Sequence, residues 1–309
     1  MKIVCRDESL KLQPEDTFVL KITQLRELLV VRWSVFMLGP SGSGKTELLK
    51  TLQKSQNMYQ EKSMCNIINP KAVTRNELYG YITTTREWKD GVISITFRDQ
   101  ANCTTYKHEW IILDGDIDAE WIESMNTVMD DNKMLTLASN ERISLTPPMR
   151  LIFEIGHMRN ASPATVSRGG VIYLSDTDVG VMPFIQSWID RRECEPERTQ
   201  LMGHFQADKF KATIEYVKRN FKTIVKQDDI TIIRTICFLL EGLLEQAEKH
   251  LNKSAAIADP KLLESLFIYA CIWGFGSALL VDKNNDYRKN FDKWWRDEYK
   301  QYRFPEKVM

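Results

Sequence analysis

Apolar and polar positions follow two regimes along the chain. In the first half, short apolar runs stand between turn residues. Residues 30–38 are largely apolar and β-branched and predict a buried strand. Residues 47–54 then place Leu48, Leu49 and Leu52 at helical spacing. Residues 65–70 predict a second strand that ends in a turn. A run from Trp110 to Leu113 ends in Asp114. Trp121, Ile122, Met125, Val128 and Met129 predict a helix over 119–130. Short strands follow at 134–137, 140–143, 149–155 and 171–174. Upstream, Gln13-Pro14-Glu15-Asp16 is a helix-start signal, and Phe18, Leu20, Ile22, Leu25, Leu28 and Leu29 supply core side chains. Residues 71–109 are less regular. Turns at Gly80 and Gly91 and a strand at 92–97 predict a hairpin-like insertion.

From about residue 184 the period becomes helical. Helices are expected over 184–192, 207–226, 228–253 and 260–281, with the clearest stripe at Ile232, Ile233, Ile236, Leu239, Leu240, Leu243 and Leu244. Glu195-Pro196 and Asp259-Pro260 mark boundaries, and 282–286 is a polar loop. Phe291, Trp294, Trp295 and Tyr299 form a last aromatic face that reads as core. Strands alternating with helices, then helices alone, predict an α/β unit over 1–190 and a helical unit over 191–309. The chain has 309 residues, enough for two moderate cores.

Charge narrows the function. Lys and Arg total 42, as do Asp and Glu, so no general nucleic-acid-binding surface is expected. The six cysteines at 5, 65, 103, 194, 237 and 271 contain no C-x-x-C. They read as reduced thiols in an intracellular protein, without a disulfide framework or zinc site. The start MKIVCRDESL does not read as a signal peptide. The longest uncharged apolar stretch, 266–281, is short for a bilayer span and interrupted by glycines, so a buried helix is expected.

The chemistry starts at Gly39-Pro40-Ser41-Gly42-Ser43-Gly44-Lys45-Thr46, which matches G-x-x-x-x-G-K-[ST]. Small residues let the backbone wrap closely and aim its N–H groups at phosphate oxygens. Lys45 adds a point charge, and the Thr46 hydroxyl can ligate Mg²⁺. The helix start adds its positive end. The loop lies between a predicted strand and a predicted helix, as the motif requires. Asp114, at the tip of another apolar strand, is the acid expected to hold the Mg²⁺ shell.

The residue after Asp114 is Gly115, where hydrolytic sites of the AAA+ type usually carry a glutamate that activates water. Loss of a general base costs about 10²–10⁴-fold in rate. Binding is therefore expected over turnover, with Asp116 or Asp118 as possible substitutes at a different offset. His157 sits where AAA+ proteins carry a polar sensor, and a neutral imidazole can bond a phosphate or water; a surface histidine in a loop fits equally. Arg168 reads either as an arginine finger for a neighbouring module or as a solvated arginine at a helix end.

With these residues in view, the chain resembles the dynein heavy chain, specifically the second of the six AAA+ modules of its motor ring. The resemblance rests on 39–46; on Asn69-Pro70-Lys71-Ala72-Val73 with Glu77-Leu78-Tyr79-Gly80; and on Glu87-Trp88-Lys89-Asp90-Gly91. It rests also on 110–118, 121–133 and Ala161-Ser162-Pro163-Ala164-Thr165-Val166-Ser167-Arg168. The wording around 114–118 and 137–143 is most like axonemal outer-arm chains. The resemblance implies an AAA+ P-loop NTPase core, a parallel sheet flanked by helices, followed by a smaller α-helical lid. It implies that ATP (or ADP) with Mg²⁺ is held and poorly hydrolysed, and that Arg168 reaches the adjacent module. Implied partners are the adjacent AAA+ modules and, in the full complex, intermediate and light chains. Microtubule contact would lie elsewhere, and no membrane or nucleic-acid contact is implied. The implied location is the cytoplasm and cytoskeleton, in the axoneme of a cilium or flagellum. Arg234 reads as a helix-surface arginine rather than a lid sensor. Without stalk-like heptads or a tail, the chain is expected to be part of a longer heavy chain. A hydrolytically competent module and an empty structural module are the alternative readings.

Overall fold

The computed structural model describes residues 1–7, 10–250, 259–283 and 285–302. Its contacts divide the chain between Gly180 and Val181. The first unit holds α1 (Lys2–Cys5), α2 (Asp16–Val31), β1 (Ser34–Leu38), α3 (Lys45–Met58), β2 (Ser63–Ile68), α4 (Arg75–Tyr79), β3 (Gly80–Ile82), β4 (Trp88–Asp90) and α5 (Val92–Ala101). It continues with β5 (His108–Asp114), α6 (Ala119–Ile122), α7 (Asn126–Met129), β6 (Met134–Thr136), β7 (Arg142–Ser144), β8 (Met149–Ile155), α8 (Pro163–Arg168), β9 (Gly170–Tyr173) and α9 (Asp176–Val179).

Five strands form one parallel sheet in the order β2-β5-β8-β1-β9. Both faces are covered, which explains why β1, β5 and β8 read as near-continuous apolar runs. On one face, Phe18, Ile22 and Leu25 of α2 and Leu48, Leu49 and Leu52 of α3 pack on Val35, Met37, Trp110, Ile112 and Ile152. On the other, Ile93 and Phe97 of α5 join Trp121, Met125 and Val128 against Phe36, Ile111, Leu113, Leu151 and Phe153. Phe36 and Phe153 stack with centroids 4.7 Å apart. Each such apolar side chain contributes about 1.5–3 kcal/mol by leaving water.

Several expected elements differ. The run at 92–97 is helix α5, not a strand. Gly91 is its N-cap, and the Ser94 hydroxyl accepts the Gly91 N–H at 2.8 Å. Ile93 and Phe97, four apart, both reach the core, so tertiary burial overrides β propensity. The hairpin of the insertion is instead β3 with β4. Val30 and Val31 end α2 and are 74% and 75% exposed, so β1 starts only at Ser34. The helix over 119–130 is broken into α6, a 3₁₀ turn at Glu123–Met125, and α7. In the second antiparallel pair, β6 with β7, the strand β7 begins at Arg142 rather than residue 140.

The second unit is helical: α10 (Met182–Asp190), α11 (Glu195–Gln206), α12 (Asp208–Asn220), α13 (Asp229–His250), α14 (Pro260–Gly276) and α15 (Tyr287–Glu298). Residues 251–258, 284 and 303–309, included in the sequence expectations, lie outside the described residues. Helix α10 packs through Ile185, Trp188 and Ile189 into the core of this unit, although the sequence placed 184–190 before the boundary. The α13 stripe is buried at Ile232, Ile233, Ile236, Leu240 and Leu244, and Phe291, Trp295 and Tyr299 are core as expected. Helix α12 stops at Asn220 and α14 at Gly276. Among the described residues no helix is long and apolar enough to cross a membrane.

Candidate functional site: a phosphate-binding loop and its acids

The loop 39–46 runs from the end of β1 into the first turn of α3. Gly39, Gly42 and Gly44 have φ of 156°, 80° and 93°, conformations that side chains disfavour. A Cβ on Gly39 would lie 2.2 Å from the carbonyl oxygen of Leu174, the residue just after β9, so position 39 has no room for a larger residue. Gly44 caps α3, and the Phe18 ring of α2 lies against it.

Lys45 is the first residue of α3 and is only 8% exposed. Its Nζ donates to the carbonyls of Gly39 at 2.8 Å and Pro40 at 2.9 Å. The ammonium thus lies across the loop mouth. Burial lowers its pKa, while Glu154, Asp114 and Asp116 pull it back up. The Thr46 hydroxyl donates to Glu154 Oε1 at 2.6 Å.

Two strands bring in the acids. Asp114 ends β5 and is exposed; Glu154 lies on β8, directly paired with Asp114 in the parallel register. Side chains alternate along a strand. Ile112 and Ile152 pack on the α3 face, so Asp114 and Glu154 lie on that same face. Glu154 is 8% exposed. Burial pushes its pKa up, with Asp114 adding to the rise and the Thr46 bond and Lys45 opposing it.

The donor set fits a nucleotide bound with a hard divalent cation: a glycine-built cradle, a lysine at its mouth, and hydroxyl and carboxylate oxygens beside it. Thr46 and Asp114 would hold Mg²⁺.

Asp116 accepts the Gly156 N–H at 3.1 Å, tying the loop after β5 to the loop after β8. Asp118 caps α6 by accepting from Glu120 N–H. Gly115 donates its N–H to the Glu154 carbonyl at 3.2 Å. A Cβ there would meet Asn69 Oδ1 at 3.3 Å. His157 is exposed just beyond β8 and makes no hydrogen bond or ion pair among the described residues.

Arg168 is not gathered with this group. It ends α8, where the helix dipole favours a cation, and its Nε donates to Asp130. Gly169 and Gly170 after it are packing positions. A Cβ on Gly169 would lie 2.4 Å from the Phe36 ring, and Gly170 pairs with Val35 in the sheet. Arg234 is exposed on α13, its guanidinium 5.6 Å from the Phe238 ring centroid.

The structure therefore groups Lys45, Thr46, Asp114 and Asp116, all singled out in the sequence, with one residue that was not, Glu154. Its signal was present: a lone acid inside the apolar run 149–155.

Comparison with known proteins accounts for both units. A family model for the AAA domain of the dynein-related subfamily matches residues 34–168, and one for the dynein heavy chain AAA lid domain matches residues 201–309. The chain is 56% identical over 298 residues to the dynein beta chain, flagellar outer arm, of Chlamydomonas reinhardtii, covering 96% of this chain and 6% of that protein. It is 49% identical to the ciliary dynein beta chain of Tripneustes gratilla, with the same coverage of both chains. It is 50% identical over 299 residues to human dynein axonemal heavy chain 17, at 96% of this chain and 6% of the relative. The chain thus spans about 6% of the length of the curated relatives it matches. A five-stranded parallel P-loop core with that matched AAA domain, followed by that matched lid, makes the chain an AAA domain and lid of the dynein heavy chain family.

Proposed function

We propose that this chain is the second AAA+ module of an axonemal outer-arm dynein heavy chain, and that it holds ATP with Mg²⁺ at 39–46 without efficient hydrolysis. The similarity to a flagellar outer-arm beta chain and to a ciliary beta chain supports the assignment to a cilium or flagellum axoneme. Intermediate and light chains would be partners only of the whole complex, and microtubule contact would lie outside this segment. Lys45 neutralises the outer phosphates, and Thr46 and Asp114 hold the cation. Arg168 acts on the nucleotide of an adjacent module.

One observation carries the low-turnover reading. The two acids that could replace the missing glutamate are already engaged, Asp116 by the Gly156 N–H and Asp118 as a helix cap, while Gly115 offers no side chain. A water-activating base is worth about 10²–10⁴-fold. Turnover at this site, measured in an assembled ring with the other sites disabled, is expected to be slow and unchanged by Asp116→Asn. Fast turnover abolished by that substitution would establish the competent-ATPase reading instead.

A further inference from the structure

We propose that Glu154 is a positioning residue of the cation site. It takes the hydrogen of the Thr46 hydroxyl and sets a second carboxylate beside Asp114. The inference rests on the reading of 39–46 as a Mg²⁺–nucleotide site.

A threonine that ligates a metal must present a lone pair, so its hydrogen must point elsewhere. Here it points to Glu154 Oε1, at 2.6 Å. A carboxylate acceptor both fixes that rotor and makes the hydroxyl oxygen a better donor to a cation. Glu154 is itself held: its backbone is in register with Asp114 on one side and Met37 on the other, and its carbonyl accepts the Gly115 N–H. The side chain is therefore placed by rigid sheet, not by a loop.

Charge points the same way. Two carboxylates on neighbouring strands face one side of the sheet, Asp114 exposed and Glu154 buried, and like charges so placed repel each other. Glu154 is 8% exposed. Lys45 and Lys50 both attract Glu154, but the Lys45 ammonium is bonded to the loop carbonyls and Lys50 to Glu47, not to either acid. A divalent cation beside Thr46 would relieve that repulsion. The opposite role, a carboxylate that occupies Thr46 and keeps the cation out, predicts the reverse outcome below.

The test is calorimetric titration of ATP into the purified full chain, with Mg²⁺ and separately with EDTA, for wild type, Glu154→Gln and Glu154→Ala. Wild type is expected to bind more tightly with Mg²⁺. Glu154→Ala is expected to lose about 10- to 100-fold of that Mg²⁺-dependent gain, the range for residues that support metal ligands. Glu154→Gln, which keeps an acceptor for Thr46 but not the charge, is expected to fall between. Affinity in EDTA is expected not to fall, because a negative charge near the phosphates has been removed. Melting temperatures check folding, and the near-isosteric glutamine variant carries the test if the alanine variant misfolds. A Mg²⁺-dependent gain that is unchanged or larger in Glu154→Gln would overturn the inference alone. An equal loss with Mg²⁺ and EDTA would make the role structural and overturn it too. Wild type that binds no ATP in either condition would overturn the underlying site reading and the inference together.

Discussion

Arg168 donates from its Nε to the Asp130 carboxylate, so the last residue of α8 is clasped to the residue that caps the end of α7. The clasp leaves the Arg168 side chain 27% exposed. Its other guanidinium nitrogens are not in that bond. A guanidinium held by one edge has its orientation fixed in advance, which would lower the entropic cost of any further contact it makes.

If Arg168 serves a neighbouring site, Arg168→Ala lowers ATP turnover of the adjacent module by about 10³-fold or more, the range for arginine fingers. Arg168→Lys is expected to rescue little, because a lysine lacks the planar fork. Asp130→Asn, which weakens the clasp and leaves the guanidinium, is expected to cost less than either. Steady-state turnover of the assembled ring reads all three. Wild-type turnover in Arg168→Ala would reduce Arg168 to a cation on a helix end.

Gly169 is required by Phe36. A methyl group would lie 2.4 Å from that ring, which is itself fully buried and stacked on Phe153. Gly169→Ala is expected to destabilise the first unit by about 1–3 kcal/mol, the usual cost of overpacking. At Gly170 the nearest atom is the Arg32 Cγ at 3.2 Å, on a flexible side chain, so Gly170→Ala is expected to cost less. Denaturant midpoints of the two variants give the comparison, and equal midpoints would contradict it.

Much of this candidate site is legible in the sequence. The loop 39–46 and Asp114 announced themselves because phosphate binding demands a rare spacing and because an acid at the tip of an apolar run is uncommon. Glu154 was missed because its role depends on which strands are neighbours. β8 lies between β5 and β1, an order that no local pattern encodes. The helix at 92–101 was missed for a related reason. Its β-branched residues suit a strand, but the Ser94 cap and the burial of Ile93 and Phe97 decide otherwise. Helix α11 left almost no periodic signal, since it buries Glu197 in an ion pair with Arg192 at 2.7 Å. The long helices of the second unit were legible because their stripes are regular.

Two carboxylates give stability opposite slopes with pH. Arg98, with help from Trp88, draws Asp90 down to about 2. The folded pKa is depressed, so that stabilisation is present above the ordinary aspartate range and lost as pH falls toward 2. Arg98 also bridges to Glu141, so Arg98→Ala is expected to flatten the acid limb. Glu109 is fully buried at the start of β5, and among the described residues neither oxygen has a partner in good hydrogen-bond geometry. Burial raises its pKa, with the nearby Cys103 thiol pulling the other way. A raised folded pKa gives stability that is present below the ordinary glutamate range and lost as pH rises through the folded value. Glu109→Gln is expected to be more stable than wild type at pH 8 and to lose that advantage at pH 4. Chemical denaturation across pH checks both; a Glu109→Gln variant less stable at pH 8 would contradict the assignment.

The most direct test of a retained nucleotide is to denature the purified protein and identify what it releases by chromatography, with Lys45→Ala in parallel. Removing one partner of a buried charge contact costs about 2–5 kcal/mol, so Lys45→Ala is expected to lose at least about 30-fold in affinity and to emerge empty. Wild type is expected to release intact ATP. Wild type releasing only ADP, with rapid turnover in the ring, or the same nucleotide content in Lys45→Ala, would contradict a module that binds ATP and keeps it.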